Sequence, residues 1–124
     1  MPTNKPQSLA ERLAQSKGWS AQEKYEYPLL DSEGNVIETL YLKPMSRAKY
    51  KAIAQKMEDA GEDQSRLTLR MVVESCFLAD GTKAFSVADI PMLLNEVSST
   101  QLNDLEMAVL NAGRNVKVNE EKKG

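Results

Sequence analysis

The residues with the strongest claim to chemistry lie in one stretch, FLADGTKAFSVADIPMLLNEV, from Phe77 to Val97. Asp80, Asp89 and Glu96 stand there around Gly81, and closely spaced carboxylates can hold a metal ion. A calcium loop, however, needs oxygen ligands at alternate positions and a bidentate acid at its end. Here apolar Ala84 and Phe85 separate Asp80 from Asp89. The triplet DGT matches the tail of a phosphatase nucleophile motif, but Leu78 stands where that motif needs an aspartate. A phosphate-cradling loop requires several glycines and a Lys-Ser/Thr pair, and the stretch has neither. It reads as punctuation between helices, and no metal ligand is assigned.

The rest of the chain is no richer in catalytic groups. Histidine is absent, which excludes Ser-His-Asp and Cys-His nucleophilic catalysis. Cys76 is the only cysteine, so the sequence has neither an intrachain disulfide nor a zinc cluster. Its setting, MVVESCFLA, predicts a small buried hydrophobe and not a reactive thiol. Glu58 with Asp59, and Glu120 with Glu121, read as surface charge without acid/base logic. No catalytic or cofactor-binding residue is assigned, and the expectation is a protein that is not an enzyme and takes no cofactor.

Charge does not point to a polyanion either. Sixteen basic and 18 acidic residues give a formal net charge of -2, with no general drive toward nucleic acid or an anionic membrane. Lys43, Arg47, Lys49 and Lys51, beside Tyr41 and Tyr50, could form a local basic patch. Tyr50 belongs to an apolar helical stripe and no stacking motif accompanies the charges, so a solvated helix face is the preferred reading. No stretch is long enough to span a bilayer, and MPTNKPQSLAERLAQ lacks the apolar core of a signal peptide. A soluble protein of a reducing cytoplasm is expected.

The elements that must position these residues follow from periodicity. Residues 1–22 are polar, with SLAERLAQ able to form two helical turns capped by Ser8; they read as a flexible arm. KYEYPLLDSEGNVIETLYL reads as a β-hairpin in which Tyr25, Tyr27 and Leu29 share a face and Val36, Leu40 and Leu42 recur at even spacing. Pro28 places the first strand at a sheet edge or strand end. Ser46 caps a helix whose stripe is Tyr50, Ile53, Ala54 and Met57, stopped by Gly61. A central helix is expected from about Asp63 to Ala79, apolar at Leu69, Val72, Val73, Cys76 and Phe77.

After the turn at Asp80 and Gly81, Ser86 and Asp89 cap a short helix carrying Met92, Leu93 and Leu94. Ser98 caps the last, lined by Leu102, Leu105, Ala108, Val109 and Ala112 and closed by Gly113. The predicted fold is α+β, an N-terminal β-hairpin followed by a small bundle of about four helices, spanning 23–113. Residues 114–124 read as a polar tail.

Six methionines suit irregular cores and also surfaces that accept varied apolar partners. A chain of this length struggles to bury every large apolar side chain. Met92, Leu93, Met107 and Leu110 are expected to stay partly exposed, as a docking site for a partner helix. The wide apolar faces also predict a homo-oligomer.

The order of elements resembles the tail assembly chaperones of long-tailed bacteriophages. The hairpin YPLLDSEGNVIETLYLKP, the helix SRAKYKAIAQ and the segment FLADGTKAFSVADIPMLLNEV carry the likeness, over roughly Tyr25 to Gly113. Gly81, Phe85, Ser86, Asp89 and Leu93 occupy the family's glycine turn, phenylalanine, acid-containing link and leucine-rich helix. The resemblance implies a non-enzymatic protein of the host cytoplasm, absent from the mature virion. It would bind the tape measure protein and keep it soluble during tail tube polymerisation. It also implies a longer form made by ribosomal frameshifting, whose added domain recruits the tail tube protein. Lys122-Lys123 is compatible with an A-rich slippery run. A head–tail connector subunit is the alternative, and a DNA-binding regulator using Lys43 to Lys51 a further one.

Overall fold

A computed structural model describes residues 7–112. The first six residues of the arm, Gly113 and the 114–124 tail with its lysine pair lie outside the described residues. Among the described residues the fold is α+β: a three-stranded antiparallel sheet and five α-helices.

Strands β1 (Tyr25–Leu30) and β2 (Val36–Leu42) form the hairpin. Its turn is built by Asp31, whose Oδ1 accepts from the backbone N–H of Glu33 (2.9 Å) and of Asn35 (3.0 Å). Gly34 takes φ +87°, a left-handed conformation that side chains rarely adopt. Along β1 the half-buried residues are Tyr25, Tyr27 and Leu29, as the period of two requires. β1 is the outer strand of the order β1-β2-β3, so the missing N–H of Pro28 falls in an edge strand.

The register carries one irregularity. Leu29 pairs with Glu38 but Leu30 pairs with Val36, which leaves Ile37 as an extra residue on β2. Such a bulge changes which face the following side chains take. Val36, expected with Leu40 and Leu42 on the covered face, is instead 59% exposed.

Helix α2 (Arg47–Asp59) begins where the Ser46 side chain accepts from the Lys49 N–H, at 3.2 Å. It buries Ile53 and Met57, while Tyr50 at the start of the stripe stays partly exposed. A 3-10 turn at Gln64–Arg66 leads into α3 (Leu67–Ser75). This helix is central: Leu69, Met71, Val72 and Val73 are buried all round it.

The central helix stops earlier than its apolar run suggested. Instead of continuing to Ala79 it ends at Ser75, and Cys76–Phe77 form strand β3. Cys76 pairs with Leu42 and Phe77 with Tyr41, and the Lys43 N–H donates to the Ser75 carbonyl at 2.9 Å. The open edge of β2 satisfies backbone groups that a further helical turn would have satisfied internally. The chain then turns through Gly81 (φ +89°), and the Ala84 N–H returns to the Cys76 carbonyl at 2.9 Å.

Helix α4 (Ile90–Asn95) follows a 3-10 turn at Val87–Asp89, with Pro91 in its first turn where no N–H is needed. Helix α5 (Ser99–Leu110) buries Leu105 and Val109. The Ser98 side chain makes no capping hydrogen bond; its carbonyl accepts from the Leu102 N–H at 2.9 Å instead.

Two clusters form the core. Leu40 and Leu42 from β2, Met71 and Val72 from α3, Cys76, and Leu105 and Val109 from α5 make the first. Leu69, Val73, Ile90 and Leu93 make the second, across α3 and α4. Each fully buried Leu or Val contributes about 1.5–3 kcal/mol relative to exposure. α3 faces both clusters, so it fixes α4 and α5 relative to the hairpin.

Ahead of the sheet, α1 (Leu9–Gln15) closes a capping box. The Ser8 N–H donates to Glu11 Oε1 (2.7 Å) and the Glu11 N–H to Ser8 Oγ (3.1 Å). It buries no residue. The arm meets the domain where the Gly18 N–H donates to Tyr25 Oη at 2.9 Å.

Candidate docking groove

Between the hairpin and the α4–α5 region lies a groove of about 700 Å³. Tyr27 and Leu29 of β1 form one wall, and Leu93, Leu102 and Leu105 form the other. Leu30, Ile37 and Val97 lie at its apolar margins, with 47%, 66% and 39% of their surfaces exposed. Asp31 is the only charged residue in the lining. Backbone N–H groups of Asn35 and Glu33 hold its carboxyl below the ordinary aspartate range, so it is ionised at neutral pH. Burial, and then the nearby Asp104 carboxylate, push the Tyr27 phenol upward, so it stays neutral.

The structure redistributes the four residues expected to dock a partner. Leu93 lines the groove, but it is only 8% exposed and belongs to the second core cluster. It is therefore a core residue, contrary to the expectation of exposure: Ile90 and Leu93, three apart on α4, both pack with Leu69 and Val73 of α3. Met92 (63%), Met107 (47%) and Leu110 (47%) are exposed as expected, yet none of them lines the groove. On α5, Met107 and Leu110 lie roughly 200° and 140° around the axis from Leu105, on the side away from the core.

Ile37 is the groove residue that strict alternation along β2 hides. It reaches the groove through the bulge, and alternation alone places that side chain on the opposite face. The available signal was an Ile beside a Val in VIETLYL, two apolar residues where strict alternation allows one.

Two of the three carboxylates of the Phe77 to Val97 stretch, Asp80 and Asp89, are engaged locally. Asp80 Oδ1 accepts from the Thr82 N–H (3.0 Å) and Oγ1 (2.7 Å), and the Thr82 backbone bond holds its carboxyl low. Asp89 Oδ2 accepts from the Ser86 N–H at 2.8 Å. Among the described residues no three His, Cys, Asp or Glu side chains converge as a metal group would need. Lys49 of the basic region (3.7 Å) and Lys83 from the turn after β3 (2.7 Å) both approach Glu74. Lys24 sits 4.4 Å from the centre of the Phe77 ring. Burial pushes the Cys76 thiol up to about 12. No described helix is long and apolar enough to cross a membrane.

Fold and site together define an α+β domain with an open apolar groove between a hairpin and its C-terminal helices. The chain matches no family model, and no curated protein or solved structure matches it.

Proposed function

We propose that this protein is a tail assembly chaperone of a long-tailed phage, which holds segments of the tape measure protein in the groove between β1 and α5. The groove itself carries the reading: about 700 Å³ lined by Tyr27, Leu29, Ile37, Phe85, Leu102 and Leu105, with one carboxylate among the lining residues. An amphipathic helix offers apolar side chains at i, i+3, i+4 and i+7, and a trough of this kind receives such a stripe. Contacts of modest size, repeated along a long helical client, shield it collectively while each can be displaced by polymerising tube subunits.

In this reading the protein is not an enzyme and acts in the host cytoplasm without entering the mature virion. A frameshifted longer form brings in the tail tube protein. Supporting it are the order of hairpin, helix, glycine turn and leucine-bearing helix, together with the apolar character of the groove.

The test is co-expression with the long helical protein encoded downstream. A soluble complex that elutes as one species is the expected result. A client that stays insoluble, with this chain recovered from purified particles, would establish the head–tail connector role instead.

A further inference from the structure

We infer that, before a client arrives, the groove of one copy is covered by the arm of a second copy, residues 7–20, with Trp19 as the anchor. The inference rests on reading the groove as a helix-docking site, and it does not depend on the identity of the client.

The arm is built to be helical but packs thinly: of residues 7–20 only Leu13, Ser16 and Ser20 are half-buried, and the rest are exposed. The capping box of Ser8 and Glu11 specifies the start of α1, yet the helix buries no residue. A seven-residue helix is far below the length that holds alone in water. Leu9 is 62% exposed and Trp19 69%. Trp19 is the only tryptophan of the chain. Aromatic side chains of this size bury about 150–250 Å² and dominate the energetics of interfaces.

Groove and arm are complementary in charge as well as in polarity. Asp31 is the one charged group in the groove lining. Residues 7–20 carry Arg12 and Lys17 against Glu11, an excess of one positive charge. An occupant of that sign is attracted, and its aliphatic stems can lie along Leu30 and Ile37.

The arm of the same chain is held elsewhere. The hydrogen bond from the Gly18 N–H to Tyr25 Oη fixes it at the first residue of β1. The near end of the groove, at Tyr27, lies about 7 Å along that strand, and the exposed apolar margin at Leu30 about 17 Å, so the anchored arm of the same chain leaves the hairpin-tip end open. Exchange between two copies fills both grooves by the same contact, as a two-fold dimer requires. The client helix then displaces the arm, so the apolar groove is covered whenever it is empty of client.

Because Trp19 is the sole tryptophan, its emission reports the contact in the full-length protein without added label. Emission spectra and sedimentation mass are measured together over a wide concentration range, with no client present. The expected result is a blue shift that grows with concentration in step with the dimer. Ile37→Asp, at a position 66% exposed, should abolish both while leaving the circular dichroism unchanged. Trp19→Ala should weaken the dimer by about thirtyfold, the usual loss on truncating an aromatic anchor.

Emission of an exposed tryptophan at all concentrations overturns the inference. So does a blue shift independent of concentration, which would mean the arm covers its own groove. A dimer without a blue shift, or one indifferent to Ile37→Asp, also overturns it by placing association on another face. None of these outcomes depends on client binding, so the co-expression result stands or falls separately.

Discussion

Arg70 grips Glu62 through a single nitrogen: Nη1 donates to both carboxylate oxygens, at 2.8 and 3.0 Å. The contact spans eight residues and ties the buried centre of α3 to the segment that leaves α2. The guanidinium side chain is 11% exposed and its partner 39%, so the pair sits at the edge of the core. Among the described residues, buried Nε has no hydrogen-bond partner. Removing the carboxylate leaves a largely desolvated cation, whereas replacing the cation by an apolar chain does not.

Glu62→Gln should therefore cost about 1–2 kcal/mol, discounted for the exposed side of the pair. Arg70→Met, which keeps the aliphatic packing, should cost less than Arg70→Ala. Urea denaturation with an unchanged m-value measures all three; equal losses for Met and Ala would show that packing contributes nothing there.

The groove assigns different outcomes to two adjacent residues. Leu93→Asp should destabilise the fold by about 3–5 kcal/mol, from the lost buried leucine and a desolvated carboxylate. Met92→Asp, at 63% exposure and outside the groove, should change neither stability nor client binding. Ile37→Asp should keep the fold and lose the client. Thermal melts and pull-down of the co-expressed client separate the three patterns, and loss of binding in Met92→Asp alone would move the site to the outer face of α4.

Two glutamates should give opposite pH dependences. The hydrogen bond from Lys83, then the charges of Lys83 and Lys49, lower the Glu74 carboxyl from its ordinary 4.5. Its contribution is fully present above the unfolded value and is lost as pH falls through the lowered one. Burial raises the Glu106 carboxyl, so its contribution is present at low pH and is lost as pH rises through the raised value. Glu74→Gln should flatten the acid limb of the stability profile. Glu106→Gln should raise stability slightly at pH 7, and a loss there would contradict burial as the cause.

Cys76 should be silent toward thiol reagents in the native state. It is 0% exposed, and its thiol is pushed up to about 12. Labelling should proceed only through opening of the core, at a rate that rises with urea in step with unfolding. Rapid stoichiometric reaction in native buffer would mean that β3 detaches from β2 far more readily than the rest of the core opens.

Gly81→Ala should cost about 1 kcal/mol. A Cβ there meets nothing within 4 Å, so the penalty comes only from φ +89°. A loss near zero would mean that the turn relaxes to a conformation open to side chains.

Much of this architecture was legible in the chain. DSEGN bends because aspartate and glycine meet the backbone demands of a tight turn, and Pro28 belongs at an edge because it lacks a donor. Ser46 caps α2, and the stripe through Ile53 and Met57 is buried as its spacing demands. These features depend on interactions within a few residues, so sequence carries them directly.

Contacts between distant segments decided the remainder. Val72 to Phe77 is apolar enough for helix or strand, and only the free edge of β2 makes Cys76 and Phe77 extend. The unpaired Ile37 reverses the expected faces of β2 at its start, because one inserted residue inverts a period of two. Exposure at Met92, Met107 and Leu110 could be anticipated from amphipathicity, but burial of Leu93 required α3 to lie beneath it. The sequence by itself therefore determined turns, caps, helix stripes and the α+β class, whose causes are local. Tertiary structure alone decided where the groove lies and which side chains line it, because a concave surface exists only between elements that the fold brings together.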